Sequence, residues 1–344
     1  MGDQPRDPVA ANADGSTDLY EIADWEARSP FDRLVEALYV AGRWALGGVV
    51  VLAAIAILLL QLLFGSLGVL GIQPLFGALA ALSAIPALVL AAYIWYADVT
   101  TAEPLTLLVG TFLLGVLFAG FAGILNTVLR GPIVFAGSLF GLVPFLGQVA
   151  FFFLVVGPVE EAVKLLAVRL YAYRDDRFDA VIDGAVYGAA AGLGFATIEN
   201  ALYIVQNTDM VAGPLRALNA GSDIAAVRAL AGPGHVIYSA FAGYYLGLAK
   251  FNPEDAGPIV LKGLLIATLI HAGYNTLSGP VTGLLSGLYG VPQFVAFVGF
   301  VVVFDGVFIL VLLRKLGAYR QAYKDAHDGH DDPPSDPTIP TFDP

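Results

Sequence analysis

QVAFFFLVVGPVEEAVKLLAVRLY, residues Gln148–Tyr171, is long enough at 1.5 Å per residue to cross about 30 Å of hydrocarbon as one helix. Its charges, Glu160, Glu161 and Lys164, lie in its interior rather than at its ends. A charge in the bilayer core costs several kcal/mol, so each of these groups must meet protein or water. The segment therefore predicts one member of a helical bundle, with a polar site enclosed among its neighbours.

Working outward, seven more stretches qualify as spans, near Ala45–Phe64, Pro74–Ala97, Leu105–Leu129, Ala180–Val205, Ala229–Lys250, Pro258–Ser278 and Phe294–Arg314. The run Gly137–Gly147 is apolar but too short and too rich in Gly and Pro to cross alone, and reads as an interfacial or re-entrant piece. The fold class is thus an all-α polytopic transmembrane bundle of about eight spans with polar, acidic tails. Composition agrees: 58% of the 344 residues are hydrophobic and 13% charged, against about 45–50% and 25% in soluble domains. That excludes a single soluble globule. The formal net charge of −12 belongs largely to the ends, since 15 of the 29 carboxylates fall within residues 1–44 and 315–344. With no cysteine in the chain, disulfides, thiol nucleophiles and Cys-ligated zinc are excluded.

Five segments follow: an acidic N-terminal stretch, 1–44, with an amphipathic Trp25–Val40; accessory spans, 45–147; a core, 148–280; a last span, 281–314; and a disordered acidic tail, 315–344, containing His327 and His330. No apolar signal core precedes the first span. With the N-terminus inside, 13 Lys and Arg flank the inner ends of spans and three, Arg130, Arg216 and Arg228, the outer ends. The positive-inside rule then predicts a multi-pass protein of the plasma membrane with both termini cytoplasmic.

The ionisable residues placed within spans are Glu160, Glu161, Lys164, Asp183, Glu199, His235, His271 and Asp305. Glu160 and Lys164 stand i, i+4, the spacing of an intrahelical ion pair. That pairing leaves Glu161 without a local partner. Glu199 and Asn200 follow a face of Gly184, Gly188 and Gly192, and glycine every fourth residue lets a second helix approach the backbone. His235 has Ser239 one turn on, and His271 has Asn275. Counted from the outer ends, Glu199, His235 and His271 lie about 9 to 10 Å deep and Glu160 about 18 Å, while Asp183 falls near the inner end and reads as a helix-start residue. The bland alternatives are a neutralised ion pair, an interfacial acid and hydrogen-bonded histidines.

Two imidazoles and a carboxylate make a hydrolytic zinc ligand set, here His235, His271 and Glu199, with a second glutamate as general base and acid. Without metal, a glutamate can activate water directly while a histidine and Asn275 stabilise the oxyanion. Both routes end in peptide hydrolysis, and the residues do not choose between them. Gly-x-Ser-Gly, His-Glu-x-x-His and Gly-x-Gly-Asp are absent, so other intramembrane hydrolase types lack support. A proton- or cation-coupled transporter using the same acids and histidines is the rival from another class.

Glu160-Glu161-x-x-Lys164, then Asp183-Gly184-x-x-Tyr187-Gly188, then Gly194-Phe195-x-x-x-Glu199-Asn200, then His235 and His271, resemble the PrsW family of intramembrane proteases, distant relatives of the CAAX-processing endopeptidases. The resemblance covers about residues 150–280. It implies cleavage of membrane-anchored proteins, as in site-one processing of an anti-sigma factor, with the lipid bilayer and a protein substrate, and no nucleic acid, as partners. It further implies Glu160 and Glu161 as a catalytic pair, with Glu199, His235 and His271 completing the core. Lys164, Asn200, Ser239 and Asn275 are supporting residues, and Zn2+ is the cofactor to test. The CAAX-processing relatives have Phe-x-x-x-His where this chain has Phe195-x-x-x-Glu199, which argues against prenyl-protein processing.

Overall fold

The computed structural model describes residues 6–13, 15–42, 74–100, 102–139, 144–207 and 214–328. The expected span Ala45–Phe64 and the tail from residue 329 on lie outside them. In chain order the helices are α1 (Pro8–Ala11), α2 (30–42), α3 (Pro74–Ser83), α4 (Ile85–Tyr96), α5 (Leu105–Leu139), α6 (Pro144–Phe151), α7 (Gly157–Leu170), α8 (Val181–Gln206), α9 (Pro214–Phe251), α10 (Ala256–Tyr289) and α11 (Gln293–Asp328). No strand occurs among the described residues. Five stretches, Phe76–Tyr96, Leu105–Ile133, Val181–Gln206, Ala256–Tyr289 and Gln293–His327, are long and apolar enough to cross a membrane. The segments carrying Glu160 and His235 are helical too, but the first is split by a π turn into the 8-residue α6 and the 14-residue α7, and the second is less apolar.

α8 is the hub of the bundle. Of its most apolar window 83% is buried, against 28% for α11, whose Val302, Val303 and Leu310 face outward as lipid-contacting residues do. The hub follows from the glycine stripe. A methyl group at Gly184 would stand 2.2 Å from the Gly243 carbonyl oxygen, and one at Gly188 2.2 Å from that of Ser239. In lipid, where apolar burial gives helices no reason to associate, this backbone-to-backbone contact supplies the packing. It also fixes the register of α9 on α8, and hence the position of His235 opposite Gly192 in the middle of α8.

Three expectations change. α5 continues through Pro132 to Leu139 and so takes up the start of the run read as interfacial. α9 passes through Gly232-Pro233-Gly234 as a single helix that begins well before Ala229. α11 continues to Asp328, so residues 315–328 are helical rather than disordered. The cause is an amphipathic face that mean hydropathy averages away: Leu312, Leu316, Tyr319 and Ala322 are all buried, at helical spacing.

The N-terminal segment is folded against the same end of the bundle. Asp7 caps α1 through the Val9 N–H at 2.9 Å, and accepts from the Val181 N–H and the Tyr319 hydroxyl, each at 2.8 Å. Lys262 of α10 donates to both Glu21 and Asp32, and Lys315 of α11 reaches Glu21 at 3.0 Å. Acids that look like a solvated tail in the sequence thus neutralise lysines at the helix ends.

Candidate active site

α6 and α7 form one rod interrupted by a π-helical turn, Phe152–Val156. Pro158 follows directly and has no N–H to donate, and the wider turn absorbs the missing bond. Gly157 lets the start of α7 meet α10, since a methyl there would lie 3.0 Å from the Thr268 carbonyl oxygen. One turn further on, Glu160 and Glu161 come against His271.

The two acids take different surroundings. Glu161 is fully buried, with Oε1 accepting from Lys164 Nζ at 2.6 Å and lying 2.7 Å from His271 Nδ1. Glu160 Oε1 accepts from Asn126 Nδ2 of α5 at 2.9 Å, while its Oε2 has no hydrogen-bond partner and lies 3.7 Å from His271 Nε2. The expected Glu160–Lys164 pair is therefore replaced by a Glu161–Lys164 pair at i, i+3. Both spacings put a lysine within reach of a carboxylate. Lys164 is drawn to the Glu161 side because its Nζ also lies 3.1 Å from His235 Nδ1 and over the Phe195 ring.

Glu199 is held from α9. Its Oε2 accepts from Arg228 Nη2 at 2.5 Å and meets His235 Nε2 at 2.8 Å. Asn200 positions that arginine, accepting from Arg228 Nε at 2.8 Å and donating to Ser83 Oγ at 3.0 Å. An ammonium can only donate, so His235 Nδ1 accepts from Lys164 and its proton resides on Nε2, aimed at Glu199. The His235 and His271 rings meet edge to face at 5.2 Å, and Tyr238 stacks on His271 at the same separation.

These groups open onto a cavity of about 630 Å³ whose walls include Asn126, Arg130, Glu160, Glu199, Arg228, His235, His271 and Asn275. Glu161 and Lys164 stand behind it. One donor atom each from Glu160, His235 and His271 lies within 4.8 Å of the others. Glu199, expected in that set, sits beyond it, bonded to the His235 nitrogen. The set suits a zinc ion on two grounds: Glu160 Oε2 is an orphaned buried oxygen, and three carboxylates here face only two fixed cations, Lys164 and Arg228.

Other residues fall elsewhere. Ser239 is buried against Gly192 with its hydroxyl unpartnered and does not line the cavity. Asp183 is at the far end of α8, where it accepts from the Asp179 and Ala180 N–H groups at 2.8 and 2.9 Å. Asp305 is buried on α11, outside the cavity wall. Arg228 and Asn126 are the residues that sequence reasoning missed. Arg228 reads in the sequence as a charge flanking the outer end of the span expected from Ala229, whereas α9 starts at Pro214 and carries Arg228 two turns before His235 on the same face. Asn126 is a lone amide in an apolar span, a signal passed over.

The sequence model of the family described as PrsW family intramembrane metalloprotease matches residues 103–307. That range reaches beyond 150–280 on both sides and takes in α5, which supplies Asn126. Among curated proteins, the protein named Protease PrsW in Geobacillus kaustophilus is 31% identical over 193 residues, covering 56% of this chain and 76% of the relative. Protease PrsW of Bacillus subtilis is 30% identical over 214 residues, 62% and 86% of the two chains. That of Clostridioides difficile is 30% identical over 193 residues, 56% and 75%. No solved structure matches.

Proposed function

The chain belongs to the PrsW family of intramembrane metalloproteases and is a membrane-embedded peptidase, and on that premise we propose that it hydrolyses a peptide bond of a membrane-anchored regulatory protein at the Glu160–His235–His271 cavity. The observation that carries this is the meeting of two imidazoles and an orphaned carboxylate oxygen, from three different helices, in one cavity of substrate size. Glu160 and His271 would hold zinc, joined by His235 through whichever of its two engaged nitrogens gives up its bond to Lys164 or Glu199, and the ion would polarise the scissile carbonyl and lower the pKa of bound water. Glu161 fixes the ring of His271 by accepting at Nδ1, leaving Nε2 toward the cavity. Lys164 neutralises Glu161 and keeps the charge balance of the buried cluster. Glu199, 2.8 Å from His235 Nε2 and anchored by Arg228, is the carboxylate that carries a proton to the leaving amine. The charge distribution supports a plasma-membrane location with both termini cytoplasmic, and residues 148–280 as the catalytic core.

The test is the full chain reconstituted in liposomes with a single-span protein substrate, before and after a zinc chelator, with metal content measured in parallel. Cleavage that disappears with the metal and returns on adding zinc is expected. Cleavage unaffected after the metal has been removed would transfer the water-activating role to glutamate alone. An ion gradient dissipated without any cut product would revive the transporter reading.

A further inference from the structure

At the opposite end of α8, Asp183 starts the helix and faces the connection between α4 and α5. Asp98, Glu103 and Asp183 each place one carboxylate oxygen within 4.8 Å of the others. Sixteen residues, about 24 Å along α8, separate Asp183 from Glu199, so this cluster is independent of the cavity above. Acidic clusters on a surface are commonplace, but this one is enclosed. Glu103 is 5% exposed and Asp183 0%. Neither oxygen of Glu103 meets an N–H or hydroxyl donor, nor does Asp98 Oδ2, and the two carboxyl groups lie against each other. Among the described residues no lysine or arginine pairs with any of the three; the nearby Lys250 is spent on the carbonyls of Tyr173, Asp175 and Phe178.

What donors there are hold the site in shape without neutralising it. Thr100 donates through both N–H and hydroxyl to Asp98 Oδ1, and its hydroxyl lies 3.4 Å from Asp183 Oδ1. The Asp179 and Ala180 N–H groups take Asp183 Oδ2, leaving Oδ1 turned toward the other acids. Two buried anions with a half-buried third beside them cost far more than these hydrogen bonds return unless a cation or protons compensate. Oxygens that share one calcium ion at about 2.4 Å stand no more than about 4.8 Å apart, and the three here lie within that distance of one another.

We propose that Asp98, Glu103 and Asp183, with the Thr100 hydroxyl, form a site for a hard divalent cation that staples the α4–α5 connection to the start of α8. Every donor is oxygen, which favours calcium or magnesium over zinc. Calcium is the better match, because it accepts irregular geometry and bidentate carboxylates, whereas magnesium demands a near-ideal octahedron. The cation closes the inner end of the bundle and has no part in peptide hydrolysis.

The test is equilibrium binding of radioactive calcium to the detergent-purified full chain after treatment with a calcium chelator, paired with thermal unfolding at rising calcium. One saturable site per chain and a rise in unfolding temperature of roughly 5 °C are expected, with a smaller rise for magnesium. Glu103→Gln and Asp98→Asn should each lose the binding and the shift. Without calcium each should unfold at or above the temperature of the unsubstituted chain, because a buried like charge is gone. Absence of binding and shift in the unsubstituted chain overturns the proposal and leaves protons as the neutralising agent. Retention of both in the two variants overturns it as well. If one variant does not fold, the other and the unsubstituted chain still decide.

Discussion

Glu160 and Glu161 are neighbours in sequence with different surroundings in the fold, and substitution separates the roles proposed for them. Glu160→Gln keeps the bond from Asn126 but removes the free carboxylate oxygen at the cavity, so proteolysis should fall by roughly 10³-fold or more with membrane insertion intact. Glu161→Gln should lower kcat by about 10–100-fold with little change in KM, the usual cost of losing the group that orients a histidine. It also strands Lys164 as a buried charge, a penalty of about 3–5 kcal/mol that thermal unfolding will register. The double variant Glu161→Gln, Lys164→Met should recover that stability and not the activity. Equal kcat losses in the two single glutamate variants would contradict the division of labour. Arg228 is paired with Glu199, so under the proposed mechanism Arg228→Gln should depress kcat and shift its pH profile while substrate still binds.

At the level of whole helices, the α8–α9 contact is the part that tolerates least. Gly188→Ala puts a methyl 2.2 Å from the Ser239 carbonyl oxygen, which no side-chain rotation relieves, so α9 must move away. A loss of about 1–3 kcal/mol in stability and a displaced His235 are expected. Gly299→Ala on α11 is the control, since nothing lies within 4 Å of the added methyl. It should be neutral or slightly stabilising through helix propensity. Unfolding temperatures and cleavage rates of the pair measure both effects. The glycine spacing announced this contact in the sequence. Where α9 begins was not announced, because polar residues before Ala229 lower its hydropathy while α8 and α3 pack against Ile224 and Ala225 all the same.

Over the whole molecule, the N-terminal segment ties four helices together through Asp7, Glu21 and Asp32. Glu21 is pushed up by burial but brought below the ordinary carboxylate range by Lys315 and Lys262. Asp32 is likewise opposed by burial and held well below that range by Lys262, Tyr20 and Ser29. Carboxylates depressed on folding contribute stability above their unfolded pKa of about 4 and lose it as pH falls through the folded value. Asp7 has the reverse sign, raised by burial against the bonds from Val181 and Tyr319, so it offsets part of this at neutral pH. The segment should therefore stay docked at pH 7 and begin to release as pH drops below about 4. Limited proteolysis from pH 7 to 3 follows the release, and Asp32→Asn should make the segment cleavable at pH 7. Full protection of that variant would mean the lysine contacts do not hold the segment.

From the sequence alone came the membrane bundle, the family resemblance and the short roll of ionisable residues worth examining. Those rest on local quantities: apolar length, glycine spacing and the cost of a charge in lipid. Which carboxylate meets Lys164, that Glu160 rather than Glu199 joins the two histidines, and that Arg228 and Asn126 complete the site were decided only in three dimensions. The reason is that partners within reach along one helix compete with partners arriving from another. Close packing of α5, α8, α9 and α10 around α7 settles that competition, and no property of a single helix contains it.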